Sequence, residues 1–188
     1  ALARQPKVLL LDEPLAALDR KLRERTQLEL VDIQERVGTT FVLVTHDQEE
    51  AMTMSGRVGV MDSGRLVQVG PPHTVYEFPA TRFVAEFFGS VNLFDGTLAV
   101  AEADHVTIDC PALDPPVLVG HGVSPPQGAP VTVALRPEKI TISKAPPPAT
   151  EATHNTTPHN TTQGTVEDIV YLGSTSTYLV RLHDALPR

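Results

Sequence analysis

Two short, unbroken aliphatic runs constrain this chain most: Val8-Leu9-Leu10-Leu11 and Phe41-Val42-Leu43-Val44. Between them lies a stretch with helical periodicity. An apolar strand, a helix and a second apolar strand in succession predict a parallel α/β sheet. The helix is expected from about Arg20 to Val37, with Asp19 as N-cap and Gly38 just past its end. Leu22, Leu30, Ile33 and Val37 fall on one face at helical spacing, the expected core face, and Leu28 and Val31 lie outside it. The second strand is expected over Thr40–Thr45, and Asp47 caps a further helix through Glu49, Glu50, Ala51 and Met52.

Arg57–Met61 and Arg65–Val69 read as strands around the tight turn Asp62-Ser63-Gly64. Two short helices are expected next, near Thr74–Phe78 and Thr81–Phe88, the second ended by Gly89. From Val91 the grammar changes. Twelve of the seventeen prolines lie there, and helical periodicity stops. Short β-rich runs recur at Gly96–Val100, His105–Asp109, Val131–Leu135, Ile140–Ser143, Thr165–Tyr171 and Thr177–Leu182, which predicts a small barrel or sandwich. Two domains are therefore expected, 1–90 and 91–188. A disordered loop is expected near 145–163, where three prolines precede a doubled His-Asn-Thr-Thr (residues 154–157 and 159–162). Asn155 and Asn160 there head formal glycosylation sequons with no expected use. His154 and His159 lack other ligands at a fixed spacing, so no metal site is assigned to them.

Charge excludes one class of partner. The net charge is −8, with 10 basic and 13 acidic residues up to position 90 and 5 and 10 beyond it. Neither half carries a basic stripe to neutralise phosphates, so no nucleic-acid partner is expected. A single cysteine, Cys110, has no internal disulfide partner, which fits a reducing compartment. No run approaches the ~20 apolar residues of a membrane-spanning helix. The start, Ala1-Leu2-Ala3-Arg4-Gln5, reads as the continuation of something longer.

Chemistry concentrates where the first strand ends. Leu9-Leu10-Leu11-Asp12-Glu13-Pro14 sets two carboxylates at the C-terminal edge of a parallel sheet, where open α/β sheets bind ligands. Successive strand residues point in different directions, so the acids can take separate roles. Asp12 is a candidate Mg²⁺ ligand acting through water, and Glu13 a candidate to orient and polarise an attacking water. Val44-Thr45-His46-Asp47 ends the second strand on the same side, so His46 can face Glu13 and hydrogen-bond a terminal phosphate.

In combination these segments resemble the ATP-hydrolysing subunit of an ABC-type importer. Leu9–Pro14 is similar to the Walker B segment of that family, Ala16-Ala17-Leu18-Asp19 to its D-loop, and His46 in Thr45-His46-Asp47-Gln48-Glu49-Glu50-Ala51 to its switch histidine. Ala1–Gln5 resembles the end of the helix after the signature motif, and Arg57–Gly70 the final β-hairpin. Pro79–Ala85 and Gly89-Ser90-Val91-Asn92 resemble the bridge to an extra C-terminal β domain. Val133–Glu138 and Tyr171-Leu172-Gly173 resemble segments of that domain, and Asn92–Gly96 with Leu135–Ile140 look most like polyamine importers, the putrescine branch especially.

The resemblance implies a fold: the C-terminal part of a P-loop NTPase (ABC ATPase) domain, α/β, followed by a small all-β, OB-like barrel. It implies ATP and Mg²⁺ as cofactors. Asp12 would bind the metal, Glu13 and His46 would be catalytic, and Asp12, Asp19 and His46 would contact the nucleotide site, Asp19 from across a dimer. It implies a second nucleotide-binding subunit, transmembrane permease subunits and, indirectly, a periplasmic or extracellular solute-binding protein. The protein would be peripheral on the cytoplasmic face of the membrane. The family's phosphate loop, Gly-x-x-x-x-Gly-Lys-Ser/Thr, and its Ser-Gly-Gly signature are not in this sequence and are expected upstream of Ala1. The 188-residue chain alone is therefore expected to be inactive. Alternatives are an importer ATPase for a sugar, anion or metal, a DNA-directed hydrolase of the same superfamily, or a regulatory β-barrel attached to an ATPase remnant.

Overall fold

A computed structural model describes residues 6–102, 104–113, 116–120, 126–145 and 160–182. The chain divides into two compact units, Ala1–Gly89 and Ser90–Arg188. No helix among the described residues is long and apolar enough to cross a membrane.

In the first unit, β1 (Val8–Asp12) and β2 (Thr40–Val44) pair in parallel, with Val8 opposite Thr40 and Asp12 opposite Val44. The crossover between them is α1 (Arg20–Val37). Its ends follow from local chemistry. The Asp19 carboxylate accepts the Leu22 N–H, satisfying a donor that the first turn leaves orphaned, and Gly38 takes the left-handed conformation (φ 64°) while its N–H bonds the Gln34 carbonyl. α2 (Gln48–Met54) starts at Asp47, whose carboxylate accepts the Glu49 and Glu50 N–H groups. β3 (Val58–Asp62) and β4 (Arg65–Gly70) form an antiparallel hairpin closed by Ser63-Gly64. Both turn residues have positive φ, 49° and 77°, the geometry whose twist matches that of the flanking strands. α3 (Pro72–Glu77) and α4 (Arg82–Phe87) follow. The core of the unit joins Val58 and Val60 to Val75, Val84 and Phe88, with Ala51, Met52, Val67, Tyr76 and Phe87 packed around them.

A continuously apolar strand is expected where both faces of a sheet are covered, but the apolar run of β1–β2 is not covered on both sides. Leu9, Leu11, Phe41 and Leu43 are half-buried, but Leu10 is 73% exposed and Val44 57%. Side chains alternate across a strand, and this sheet has two strands. The face of α1 expected to be core is likewise incomplete. Leu30 and Ile33 are half-buried, whereas Leu22 and Val37 are exposed and Gln27 is the helix's buried residue.

The second unit is all-β. β5 (Asn92–Ala101), β6 (Val106–Asp109), β7 (Val117–Val119) and β8 (Pro130–Leu135) form an antiparallel sheet in the order β7-β6-β5-β8. β5 is longer than the sequence suggested and pairs with both β6 and β8, with an irregularity between Leu98 and Val100. Gly96 is required where β5 passes β6: a Cβ there would sit 2.7 Å from the Asp109 carbonyl oxygen and 2.8 Å from Cys110 Sγ. Leu98, Val106, Ile108, Cys110 and Val117 make the core, and burial pushes the Cys110 thiol pKa up.

β9 (Gly164–Tyr171) and β10 (Ser176–Leu182) form a separate antiparallel hairpin. Hydrogen bonding among the described strands does not close into a barrel. Ile140–Ser143, expected as a strand, is not one: Pro137–Lys139 form a 3-10 turn, and Ile140 and Ile142 stay exposed. Proline at the start of that turn presets φ and has no N–H to offer a ladder. β7 was not anticipated. The residues 146–159 of the expected loop, with His154, Asn155 and His159, lie outside the described residues. Asn160 is described, and its side-chain amide accepts from the Leu118 N–H and donates to the Leu118 carbonyl, each at 2.8 Å, on edge strand β7.

Candidate functional site

The parallel register of β1 and β2 places both strand ends side by side, and two of the sequence-derived candidates meet there. Glu13 follows β1 and its N–H bonds the Val44 carbonyl at 2.8 Å, which extends the pairing one step past Asp12. Its backbone is left-handed, φ 44°, an uncommon conformation for a residue with a Cβ. Such geometry costs on the order of 1–3 kcal/mol and is concentrated at functional sites. The twist turns the Glu13 side chain towards the end of β2, where His46 Nδ1 lies 3.0 Å from Glu13 Oε1.

A carboxylate accepts, so in this contact Nδ1 carries the proton. The hydrogen bond to Glu13, followed by the charge of Glu13 and then of Asp47 and Glu50, raises the His46 pKa above its ordinary value. With both protons on, Nε2–H is left to donate away from Glu13. The pair is open to water, His46 75% and Glu13 51% exposed, so it is screened and carries little stability. The sign is that of a raised base: the pair's contribution is present below the unfolded-state pKa and is lost as pH rises through the folded value. A titration of the His46 ring protons by NMR is expected to show a midpoint above that of an unperturbed histidine. Glu13→Gln should bring the midpoint down, and an unchanged midpoint would contradict the contact.

Asp12 ends β1 with an exposed carboxylate. It is a hard oxygen donor at the edge of a parallel sheet, and this fits Mg²⁺, which binds through one or two carboxylates and keeps several waters. Asp19 is also exposed, but its carboxylate is engaged in capping α1. Among the described residues, no hydrogen bond or ion pair joins Asp12 or Asp19 to the Glu13–His46 pair. A separate grouping, Glu102, Asp104 and His105, sits on the exposed turn between β5 and β6 with its ligand atoms within 4.8 Å of one another.

The sequence did not reveal the polar network behind His46. Arg23 of α1 donates from Nη1 to Asp47 Oδ2 at 2.9 Å and from Nη2 to the Leu18 carbonyl at 3.1 Å. Glu50 is 2% exposed, lies 3.7 Å from Arg23 Nε, and accepts from Thr45 Oγ1 at 2.7 Å. A buried carboxylate needs such partners. Nothing local separates Glu49 from Glu50; the distinction comes from Thr45 and from Arg23 of α1, which meet Glu50.

Comparison with known proteins gives a family match within the second unit and relatives along nearly the whole chain. Residues 133–187 match the TOBE domain family. Over 97% of its length the chain is 52% identical to the putrescine transport ATP-binding protein PotG of Escherichia coli, covering 46% of that protein. It is 45% identical to the spermidine/putrescine import ATP-binding protein PotA of Rubrobacter xylanophilus, over 98% of this chain and 46% of that one. It is 42% identical to PotA 2 of Pseudomonas aeruginosa, over 98% and 48%. The TOBE match lies in the second unit, downstream of the acid pair and histidine at the adjoining strand ends. These relatives are described as ATP-binding proteins of putrescine transport or spermidine/putrescine import, and the chain is similar to each of them along nearly its whole length. The chain spans about half the length of these curated relatives.

Proposed function

We propose that this chain is part of a longer ABC-type subunit that hydrolyses ATP to drive import of polyamines, putrescine or spermidine. The observation that carries the reading is the 3.0 Å contact of Glu13 with His46 at two adjoining parallel strand ends. The 52% identity to a putrescine transport ATP-binding protein points to the solute.

Phosphoryl transfer asks a protein mainly for positioning and charge compensation. Glu13 orients the attacking water and draws its proton towards the carboxylate. His46 stands beside it, presenting Nε2 to the terminal phosphate while Nδ1 holds Glu13 in place. Asp12 holds Mg²⁺, which when bound neutralises phosphate charge. Asp19 acts near the nucleotide of a second subunit in a homodimer. The subunit docks on transmembrane permease subunits at the cytoplasmic face of the membrane, and a periplasmic or extracellular solute-binding protein supplies them. The TOBE domain belongs to the same subunit.

Putrescine uptake tests the reading. The full-length protein, expressed with its permease subunits in cells lacking their own polyamine uptake, is expected to restore accumulation of labelled putrescine or spermidine in an ATP-dependent way. Restored uptake of a sugar, anion or metal instead would keep the ATPase and overturn the solute. Absence of ATP hydrolysis by the full-length protein would overturn the reading altogether.

A further inference from the structure

We infer that Arg23 is a positioning residue that rivets the turn carrying Asp19 to the loop carrying His46. This rests on the ATPase reading above for its kinetic consequence but not for its structural one. Arg23 lies in the first turn of α1, where its own N–H bonds the Asp19 carbonyl at 2.9 Å. Its guanidinium then reaches in three directions. One nitrogen holds the Leu18 carbonyl, the residue before Asp19, and another holds Asp47, the residue after His46. The third, Nε, faces the buried Glu50 carboxylate at 3.7 Å, beyond hydrogen-bond reach but within ion-pair range.

His46 is therefore flanked by two tethered neighbours. Asp47 divides its oxygens: Oδ1 accepts the Glu49 and Glu50 N–H groups and so starts α2, while Oδ2 accepts from Arg23. Thr45 Oγ1 accepts the Asp47 N–H at 3.0 Å and donates to Glu50. An imidazole that is 75% exposed is not aimed by packing: its direction comes from the Glu13 hydrogen bond and from its backbone, and that backbone is held by this network. The fork matters as much as the charge. Arginine presents several donors in one rigid plane, whereas lysine is a point charge that cannot hold the Leu18 carbonyl and the Asp47 carboxylate in the same geometry.

The test compares wild type, Arg23→Lys and Arg23→Met in the full-length protein. Misplacement of a catalytic constellation by about 1 Å costs on the order of 10²-fold. Arg23→Met is therefore expected to lower kcat by about 10–100-fold, with the KM for ATP within about threefold of wild type. Arg23→Lys, which keeps a cation beside Glu50 and so preserves the fold, is expected to recover part of that rate but not all of it. In the same variant, amide hydrogen exchange should quicken in both segments, 15–19 and 45–47, and not elsewhere in the first unit.

Wild-type kcat in folded Arg23→Lys overturns the inference, as does unchanged exchange in either segment. Should Arg23→Met not fold, Arg23→Lys decides alone. The exchange measurement does not depend on turnover. A wild-type protein without ATPase activity would thus sink the functional reading while leaving the rivet to stand or fall by exchange.

Discussion

Full-length protein carrying Glu13→Gln is expected to bind Mg-ATP as wild type does and to turn it over about 10²–10⁴-fold more slowly, the usual loss when a water-orienting base is removed. The substitution keeps the side chain's size and its ability to accept from His46 Nδ1, so the 3.0 Å contact can survive in altered form. It removes the negative charge that draws a proton from water. Nucleotide affinity by equilibrium titration and phosphate release at saturating ATP separate the two quantities. Lost affinity with normal turnover at saturation would assign Glu13 to binding instead. Its left-handed backbone is consistent with a side chain kept in place for its direction.

A second large effect is expected in the core of the first unit. Phe88 is 4% exposed and packs with Val58, Val60, Val75 and Val84, with the Phe87 ring against it edge-on at 5.2 Å. Cutting such a ring back to a methyl group removes its transfer energy and leaves a cavity that the neighbours fill incompletely. Phe88→Ala is expected to destabilise the unit by about 3–5 kcal/mol, and Phe88→Leu by less. Urea denaturation should show the first unit unfolding at lower denaturant, with the hairpin of the second unit unaffected. A shift below about 1 kcal/mol would mean that the cluster can collapse around the gap.

The elements that the sequence disclosed well are those decided by local chemistry. α1 runs from Arg20 to Val37 because an aspartate caps one end and a glycine accepts left-handed geometry at the other. The two-residue turn at Ser63-Gly64 was equally readable. Reading failed where the outcome depended on distant partners. Ile140–Ser143 has strand-forming residues, yet forms no ladder behind the Pro137 turn. Val117–Val119 is too short to announce itself and exists because β6 pairs with it. Strand alternation in β1 and β2 was hidden, because an all-aliphatic run does not show which face stays open.

The candidate site divides in the same way. Two acids after one apolar strand and a histidine after the next are local facts, and a parallel pairing brings such strand ends to one edge. From the residues alone, therefore, come the acid pair, the imidazole, the strand–helix–strand order and the capped helix between them. Only the folded chain decided that Glu13 would turn left-handed to meet His46, and that Arg23, Asp47 and buried Glu50 would tie α1 to α2 behind it. Caps and turns are settled by residues a few positions apart. A charge is buried, or a side chain aimed, only when segments far apart in the chain supply its partners.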